Sequence, residues 1–566
     1  MALIALQEAA DDYDAIVLGA GAGGMAAAAT AAADGLRVLL IEKSRLVGGT
    51  TAVSGGMVWV PGNGRTAGAA CPDTLERARR YLDHTVPEGR DGALLDTYVA
   101  QAAPAVADLE RRTSVRLRPA ASYPDYHPDL PGASPGGRVL EPEPFDGRRL
   151  GAHFPLLRRP LPEFMLFGGM MVARSDIAHF RRLARSPRSL ARVLRLVAGY
   201  GWQRLRADRG TTLHLGNALA GQLFHSLLAL GADILLGASV QALTREGRRV
   251  TGLSVAAGGL HRRIAARGGV VLATGGFSHS AERRARHLPP GTLPVSPVSP
   301  DSTGDGLALA LGAGGRFAEG LRSNAFWVPA SRFRRPDGSD GVFPHTVTDR
   351  AKPGVIAVDR TGRRFANEAQ SYHAFVEAMF GAGRPAIPAY LVCDRAFVWK
   401  YGLGAVRPYT LSLKRHVASG YLAEAGDLGA LAERLGIDPC ALTDTVRRYN
   451  ADARRGVDRE HGRGSDVYQR YLGDADHAPN PCVAPIERPP FYALAVHPSD
   501  LGTAAGLATG PCAEVLDGDG VAIEGLYACG NDMKSIMEGS YPGPGITIGP
   551  ALTFGWLAAR AIAGRL

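Results

Sequence analysis

Cysteine is scarce in this chain, with six residues among 566. None of them forms a Cys-x-x-Cys pair; the six are Cys71, Cys393, Cys440, Cys482, Cys512 and Cys529. The spacing argues against the usual zinc and iron–sulfur motifs, so no metal site is predicted. The scarcity is consistent with a reducing, cytoplasmic location.

Long apolar runs are also absent from the sequence. No stretch of about 18 consecutive apolar residues occurs, so no membrane-spanning helix is predicted. The N-terminal segment MALIALQEAADD has neither a charged start nor a full apolar stretch, which argues against a secretory signal. We therefore expect a cytoplasmic protein.

Acidic residues are outnumbered, with 54 Asp and Glu against 64 Lys and Arg and a net charge of +10. Such an excess can serve nucleic acid, a membrane surface or acidic partners. Because the arginines are scattered, no nucleic-acid partner is expected. The hydrophobic content of 46% is ordinary for a globular protein, and the length favours two domains over one.

The stretch 12–43 contains the first features that indicate a binding site. A short apolar run predicts a buried parallel strand, and glycines with G-x-G-x-x-G spacing follow at Gly19, Gly21 and Gly24. An alanine-rich segment then predicts a helix, and a second apolar run ends in Glu42, placed to accept hydrogen bonds from a ribose. Together these features predict a dinucleotide site with phosphates at the helix N-terminus.

A second small, hydroxyl-rich loop, VGGTTAVSGG at 47–56, closely follows Glu42. Its glycines let backbone approach a cofactor threaded deep into the protein, which favours FAD over NAD. EKSRLVGGTTAVSGG resembles the corresponding stretch of the fumarate reductase/succinate dehydrogenase flavoprotein superfamily. Covalently flavinylated members use a histidine near here. None lies between Gly48 and Gly56, so the resemblance implies non-covalently bound FAD.

Further stretches that resemble this superfamily are spread along the chain, at 237–252, 270–276 and 525–531. We therefore predict an α/β protein in which a Rossmann-like FAD-binding domain, 1–280 and 491–566, holds an inserted α+β substrate and catalytic domain, 281–490. Proline-rich crossings mark both boundaries. The predicted cofactor contacts are Gly19, Gly21, Gly23, Gly24, Glu42, Lys43, Gly49, Thr50, Thr51, Ser54, Gly55, Gly56, Val240, Thr274, Gly275, Gly530, Asn531, Gly545 and Ile548.

The stretch 539–555, GSYPGPGITIGPALTFG, combines a stiff Pro-Gly loop with the start of a helix. Its Tyr-Pro-Gly-Pro-Gly and Thr-x-Gly-Pro-Ala-x-Thr-Phe-Gly motifs resemble the 3-ketosteroid Δ1-dehydrogenases. In that family the tyrosine hydroxyl and the last glycine N–H hold the steroid 3-keto oxygen. The matching positions are Tyr541 and Gly545.

Two more stretches carry the same resemblance. The stretch 123–146 is similar to the family's segment with a support tyrosine, which maps to Tyr126, with Tyr123 as the alternative. GRRFANEAQSY at 362–372 is similar to the segment with the catalytic base, which maps to Tyr372.

The resemblance implies 1,2-desaturation of a 3-ketosteroid in steroid degradation. Two donors stabilise the charge that grows on the ketone oxygen, and Tyr372 takes the carbon 2 proton. A phenol has a pKa near 10, so the base needs a hydrogen bond, for which Tyr126 is the expected source. The carbon 1 hydrogen leaves as hydride to flavin N5, and an external acceptor such as a quinone reoxidises the flavin.

Other functions remain as alternatives. A 5α-3-ketosteroid Δ4-dehydrogenase would use a similar donor pair. A fumarate-type reductase needs cationic clamps and an arginine acid, but the chain has Lys352-Pro353-Gly354 where such enzymes have Arg-Gly, and Arg350 lies two residues off. A flavin-binding scaffold at a membrane is the non-enzymatic alternative.

The segment 177–209 is arginine-rich and has helical periodicity, with Leu190, Val193, Leu194 and Val197 on one face. The first interpretation is a helix packed on the domain with a solvated basic side. The second is a membrane-surface helix, because basic amphipathic helices bind anionic lipid. In that case 154–209 forms a peripheral membrane contact.

Overall fold

The computed structural model describes residues 3–66, 72–87, 92–183, 186–383 and 385–565. Parts of the sequence predictions lie outside the described residues, namely Met1, Ala2, Cys71, Ala184 and Arg185. Within the described residues, the strands are β1 (Asp12–Leu18), β2 (Val38–Glu42), β3 (Val58–Trp59), β4 (Leu117–Pro119), β5 (Val139–Pro142), β6 (Phe145–Asp146), β7 (Thr212–Leu213), β8 (Asp233–Leu236), β9 (Ser239–Glu246), β10 (Arg249–Ala257), β11 (Leu260–Leu272), β12 (Ala325–Arg334), β13 (Asp340–Pro344), β14 (Val355–Val358), β15 (Ala389–Asp394), β16 (Ala423–Ala425), β17 (Phe491–Thr503), β18 (Glu514–Leu516) and β19 (Ala522–Ala528).

The helices of the described ranges alternate with these strands. They are α1 (Ala22–Ala33), α2 (Leu75–Thr85), α3 (Gly92–Arg112), α4 (Ile177–Arg181), α5 (Pro187–Arg204), α6 (Leu215–Leu230), α7 (Ala281–His287), α8 (Asp305–Gly312), α9 (Tyr372–Gly381), α10 (Arg395–Tyr401), α11 (Lys414–Ala418), α12 (Leu428–Leu435), α13 (Pro439–Ala453), α14 (Val467–Leu472) and α15 (Ile548–Ile562).

A parallel sheet forms around β1, in the order β8-β2-β1-β11-β19, and β18 pairs antiparallel with β19 at one edge. The hairpin β9–β10 adds antiparallel strands to β11. β1 is apolar and buried from Ala15 to Leu18, and β2 is buried throughout and apolar up to Glu42, as expected of parallel strands that are covered on both faces. The carboxyl ends of β1, β11 and β19 meet at one edge, where ligands bind in open α/β sheets.

The close packing of helix α1 accounts for its alanine-rich sequence. It is buried over most of its length and packs against α15 and α6 as well as the sheet. A side chain at Gly555 of α15 would collide with the backbone carbonyl of Gly23 in α1. Small residues therefore let this helix lie deep in the core, with its N-terminus at the sheet edge.

A second sheet is antiparallel, in the order β13-β12-β17-β15-β14, and β16 also pairs with β17. Beneath it lies a separate apolar cluster, which includes Ile356, Val392, Leu431 and Val446. β17 belongs to this sheet although it starts at Phe491, after the predicted return to the FAD domain. The boundaries at 280 and 490 stay a prediction.

A small sheet of β3, β5 and β4 holds the long loop between β4 and β5. That loop, 120–138, carries Tyr123 and Tyr126. It meets the first residue of α9, Tyr372, and the Pro-Gly loop before α15, so tyrosines that are distant in sequence lie together.

Candidate active site

A cavity of about 2250 Å³ opens at the carboxyl edge of the parallel sheet and extends toward the antiparallel sheet. Nearly all predicted cofactor contacts line it: Gly19, Gly21, Gly23, Glu42, Lys43, Gly49, Thr50, Thr51, Ser54, Gly55, Gly56, Val240, Thr274, Gly275, Gly530, Asn531, Gly545 and Ile548. Gly24 does not line it. A side chain at Gly24 would instead collide with the carbonyl of Gly19, so this glycine serves the packing of α1 on β1.

Glu42 ends β2 at this edge with both carboxylate oxygens hydrogen-bonded to backbone. One oxygen accepts from Ala20 N at 2.8 Å and the other from Ser44 N at 2.9 Å. Burial raises the pKa of Glu42, against the lowering effect of these two bonds. Each carboxylate oxygen still has a lone pair with which to accept from a ribose hydroxyl.

Lys43 lines the cavity, but its ammonium is already occupied. It bonds to Thr303 and forms an ion pair with Asp305 at 2.8 Å. This side chain therefore ties the end of β2 to the start of α8, and sequence analysis did not find either partner.

The two glycine-rich loops form a cradle that suits a diphosphate. No side chain caps α1, whose N-cap residue is Gly21. A Cβ at Gly49, where φ is +47°, would lie only 3.6 Å from Gly21 Cα, so a side chain would fill the space between the loops. Thr51 Oγ1 accepts from Ala22 N at 3.0 Å and fixes their separation. Free N–H groups and a positive helix end favour phosphate there.

Three predicted catalytic tyrosines meet at the cavity wall. The hydroxyls of Tyr126 and Tyr372 lie 3.0 Å apart. The Tyr541 ring lies 5.2 Å from that of Tyr372 and stacks on Tyr126 at 5.6 Å, measured between centroids. Burial raises the pKa of all three, to about 12 for Tyr541 and well above 10 for the other two.

Backbone bonds hold the Pro-Gly loop against the Tyr126 loop. The carbonyl of Pro542 accepts from Tyr126 N at 3.0 Å and from the Tyr81 hydroxyl at 2.6 Å. The carbonyl of Gly545 accepts from Trp59 N at 3.2 Å. Gly545 has φ of +93°, and a Cβ there would run into the backbone at Met57 and Val58, so this position requires glycine.

A buried charge cluster behind Tyr126 was missed by sequence analysis. Asp125 accepts from Trp59 Nε1 at 2.8 Å, from Ser134 N at 2.8 Å and from Arg138 at 2.6 Å. Arg138 also pairs with Asp73 at 2.6 Å. The sequence feature that could have revealed this cluster is Asp125 between Tyr123 and Tyr126, with Arg138 later in the same loop.

More aromatic residues surround the trio, and these too were not predicted. The Tyr468 ring lies 4.9 Å from that of Tyr126, and the Tyr471 ring lies 4.8 Å from that of Tyr123. Both come from α14, three residues apart and so on one face. Arg174 lies 4.7 Å above the Tyr123 ring.

The cations near the place of a fumarate-type arginine are engaged elsewhere. Arg350 donates to the carbonyls of His345 and Glu368, each at 2.8 Å. Lys352 lines the cavity and donates to the carbonyls of Leu472 and of Gly473. Burial lowers the pKa of Lys352 to about 8. Neither side chain is free to clamp a dicarboxylate in this arrangement.

Among the described residues, no cluster of three or more His, Cys, Asp or Glu side chains is placed to hold a metal ion. Nor is any helix of the described ranges both long and apolar enough to cross a bilayer.

Comparison with known proteins places the chain in a family. A model described as "FAD binding domain" matches residues 14–548. The 3-oxosteroid 1-dehydrogenase of Mycolicibacterium smegmatis is 35% identical, over 98% of this chain and 97% of that protein. The chain belongs to the FAD-binding 3-oxosteroid 1-dehydrogenase family.

Two other similarities bear on substrate. The 4-oxocyclohex-2-ene-1-carboxylate 5-dehydrogenase of Sinomonas cyclohexanicum is 37% identical, over 97% of this chain and 93% of that protein. The 3-ketosteroid Δ1-dehydrogenase of Sterolibacterium denitrificans, solved with 1,4-androstadiene-3,17-dione, is 37% identical with a TM-score of 0.91, covering 98% of this chain and 100% of that one.

These findings confirm the predicted FAD cofactor, the α/β flavoprotein fold with its inserted domain, and the oxidoreductase class. The assignment of single residues to substrate or cofactor stays a prediction.

Proposed function

We propose that this protein is an FAD-dependent 3-ketosteroid Δ1-dehydrogenase, which removes hydrogen from carbons 1 and 2 of its substrate. The observation that carries the proposal is the Tyr126–Tyr372 hydroxyl pair, 3.0 Å apart, beside Tyr541 at the wall of the cavity. FAD, when bound along the glycine loops and Glu42, supplies the hydride acceptor.

Tyr541 and Gly545 hold the ketone oxygen in this proposal. No described residue accepts from the Gly545 N–H, while its carbonyl is engaged by Trp59. Two donors fixed before the reaction are worth most when charge develops on the oxygen, because they need no reorganisation. The carbon 2 hydrogen then becomes acidic enough for a phenolate base.

Tyr372 is that base, and Tyr126 supports it. A hydroxyl that donates to Tyr372 stabilises its ionised form, and the hydrogen bond from Tyr126 lowers the pKa of Tyr372 against the larger raising effect of burial. Tyr372 begins α9, which is fixed by the cap Ser371 accepting from Ala374 N at 3.2 Å. An external acceptor such as a quinone completes the cycle.

The cavity favours two ligands together. Single ligand pockets hold about 300–1,000 Å³, and this cavity has about 2250 Å³. Beyond the tyrosines its wall combines charged side chains with apolar ones, among them Phe164, Met171, Phe343, Val347 and Leu403. The apolar side chains suit a fused hydrocarbon ring system.

The deciding experiment is anaerobic reduction of the bound flavin, followed by identification of the product. We expect a 3-keto-4-ene steroid to bleach the flavin and yield the 1,4-diene. Two alternative substrates are tested beside it. One is a 5α-3-ketosteroid, which a Δ4-dehydrogenase would convert to the 4-ene, and the other is 4-oxocyclohex-2-ene-1-carboxylate, for which one of the relatives is named. The proposal would be contradicted if only the cyclohexene carboxylate reduced the flavin, or if a 4-ene were the sole steroid product. A flavin that no ketone reduces would indicate a scaffold.

FAD is held without a covalent bond in this proposal, since no histidine lies in the loop 48–56. Denaturing the yellow protein should release FAD into the supernatant. Flavin that stays with the precipitated chain would contradict this.

Peripheral membrane contact through about 154–209 is part of the proposal. Leu194 of α5 is 59% exposed and Trp202 is 62% exposed, while Val193 alone of the predicted apolar face is buried. Phe167 is 62% exposed and lines the cavity. A lipid surface at this place would bring lipophilic ketones to the entrance.

A further inference from the structure

The loop 541–545 carries the proposed donors to the ketone oxygen, and it forms neither helix nor strand. Donors to a developing charge act best when they are fixed in place before the reaction. A misplacement of about 1 Å can cost about 10²-fold in rate. Other parts of the molecule must therefore hold this loop.

Groups from other segments bind a carbonyl at each end of the loop. The Tyr81 hydroxyl and Tyr126 N donate to Pro542 at one end, and Trp59 N donates to Gly545 at 3.2 Å at the other end. Tyr81 comes from α2 and Trp59 from β3, so two distant elements hold the loop between them.

The Arg138 guanidinium lies between these two holding residues. It is 5.2 Å from the ring centroid of Trp59 and 5.6 Å from that of Tyr81. The residue is only 1% exposed, and it pairs with Asp73 and with Asp125 at 2.6 Å each. A planar guanidinium can bind two carboxylates and face two rings at once, which an ammonium group cannot do with the same geometry. Arg138 therefore fixes both rings relative to each other.

Trp59 connects this buried charge cluster to the loop. Its strand β3 has two residues, so few ladder hydrogen bonds hold it. The indole Nε1 donates to Asp125 at 2.8 Å, while the main-chain N of the same residue donates to Gly545. A displacement of the indole would therefore reach the Gly545 end of the loop.

Gly543 lies directly against the hydrogen bond between Trp59 and Asp125. A Cβ at this position would be 2.9 Å from Trp59 Nε1 and 3.0 Å from Asp125 Oδ1. Both distances are too short for a carbon atom unless a neighbour moves. The loop thus packs on the same bond that links Trp59 to the charge cluster.

We propose that Asp125 and Arg138 are positioning residues for the ketone-oxygen site, and that they act through Trp59 on the loop that carries Tyr541 and Gly545. The inference rests on the proposed function. The three side chains do not line the cavity, so they do not touch the substrate. Their effect is on the place of the two donors, and no proton or electron passes through them.

Trp59→Phe is the first test, with Trp556→Phe as its matched control. Trp556 of α15 also donates its buried indole N–H to an aspartate at 2.8 Å, and that aspartate, Asp108, also pairs with an arginine. Neither Trp556 nor Asp108 lines the cavity. In Trp59→Phe, flavin reduction by the steroid should be slower by roughly 10–10²-fold, while the dissociation constant of the steroid changes much less. Trp556→Phe should keep the wild-type rate.

The ionisation of a bound phenolic steroid reports on the same donors without turnover. A steroid whose ring A is a phenol places its oxygen at the ketone-oxygen site, where the two donors favour the phenolate. Ultraviolet absorbance measures the ionised fraction as pH is varied. In Trp59→Phe the pKa of the bound phenol should be higher than in wild type by roughly 1 unit, the equivalent of a tenfold loss. Trp556→Phe should leave it unchanged.

A double-mutant cycle tests whether Asp125 acts through Trp59. Asp125→Asn should raise the pKa of the bound phenol when Trp59 is present. In the Trp59→Phe background the same change should add little, because the connection to the loop is already broken. Full additivity of the two effects would contradict the proposed route.

Gly543→Ala disturbs the same contact without removing a buried donor or charge. Its Cβ should push the loop away from the bond between Trp59 and Asp125, which should slow flavin reduction and raise the pKa of the bound phenol. This variant decides the question if Trp59→Phe does not retain FAD.

The outcomes separate this inference from the proposed function. If no ketone reduces the wild-type flavin, the proposed function fails, and the phenol titration still tests the positioning; a phenol that does not bind overturns both. If wild type is active while Trp59→Phe and Gly543→Ala keep its rate and its phenol pKa, the inference is overturned. Equal losses in Trp59→Phe and Trp556→Phe would also overturn it, because they would indicate a general loss of stability.

Discussion

At the residue scale, the three phenols of the site differ in what surrounds their hydroxyls. Tyr372 accepts a hydrogen bond from the phenol of Tyr126, while Tyr541 belongs to the Pro-Gly loop that also contains Gly545. In the proposed function the same chemical group serves as base at one place and as donor at another. Which role each takes depends on its neighbours and not on its own chemistry.

Tyr372→Phe should abolish turnover while steroid and FAD remain bound, because it removes the base and little volume. Loss of one general base costs roughly 10²–10⁴ in rate. The measurement is single-turnover flavin reduction, with the flavin content and steroid affinity of the variant as controls. A rate near wild type would move the base elsewhere.

Tyr541→Phe should lower kcat by roughly 10²–10³, the cost of one donor to a developing oxyanion. The dissociation constant of the steroid should change much less, since only an interaction that strengthens in the transition state accelerates the step. Residual activity should survive through the Gly545 backbone N–H. If kcat stayed within about threefold of wild type, far short of that loss, Tyr541 would only stiffen its loop.

At the scale of elements, α5 departs from the first expectation. The periodic apolar face is present, but Leu190 is 43% and Leu194 is 59% exposed, so the helix packs on the domain mainly through Val193. Arg192 of α5 pairs with Asp176 at 2.8 Å, so the basic side of the helix is not solvated along its whole length. Periodicity predicts a helix and its faces, but it does not say what covers them.

Leu194→Glu combined with Trp202→Glu should weaken binding to anionic vesicles several-fold or more, because both exposed apolar side chains would enter the lipid interface. The measurement is cosedimentation with phosphatidylglycerol vesicles, compared with phosphatidylcholine. Leu260→Glu is the matched control, since Leu260 is 48% exposed on the hairpin of β11. Equal binding of all three proteins would rule out α5 as the contact.

At the scale of the whole molecule, a buried ionic network links distant parts of the inserted region. Arg364 pairs with Glu368 at 2.8 Å and with both oxygens of Asp458 at 2.8 Å. Arg463 pairs with Glu368 at 3.2 Å. Removing one member leaves a buried charge without its partner, which is far costlier than losing a surface pair.

This network predicts acid sensitivity. Burial opposes ionisation of Asp458, yet Arg364 holds the pKa of Asp458 at about 2, below the usual value near 3.9. A lowered pKa gives stability that is present above the unfolded value and is lost as pH falls through the folded one. Asp458 should therefore contribute up to about 2 kcal/mol at neutral pH, lost between about pH 5 and 2.

Thermal unfolding over that pH range checks the prediction. Asp458→Asn should lower the melting temperature at pH 7. As the pH is lowered, the melting temperature of this variant should then decrease less than that of wild type. Asp444→Asn is the control, because Asp444 pairs with Arg447 on the surface and should hardly matter. Parallel acid profiles for wild type and Asp458→Asn would show that the network does not set acid stability.

The sequence by itself determined the dinucleotide loops, the order of the flanking elements and the family, because these depend on local backbone geometry. The glycines at 19, 21 and 24 act within one strand–turn–helix unit, and Tyr126, Tyr372 and Tyr541 were found through motif resemblance. Their joint placement could not be read from spacing, since Tyr126 and Tyr372 are 246 positions apart.

Only the tertiary structure decided what surrounds these residues. Arg174 above Tyr123, Asp125 behind Tyr126 and the partners of Lys43 come from separate elements that meet when the sheets pack. The exposure of α5 and the place of β17 in the antiparallel sheet were likewise settled by packing. Burial, long-range pairing and pKa shifts arise from contacts between distant segments, which no local pattern contains.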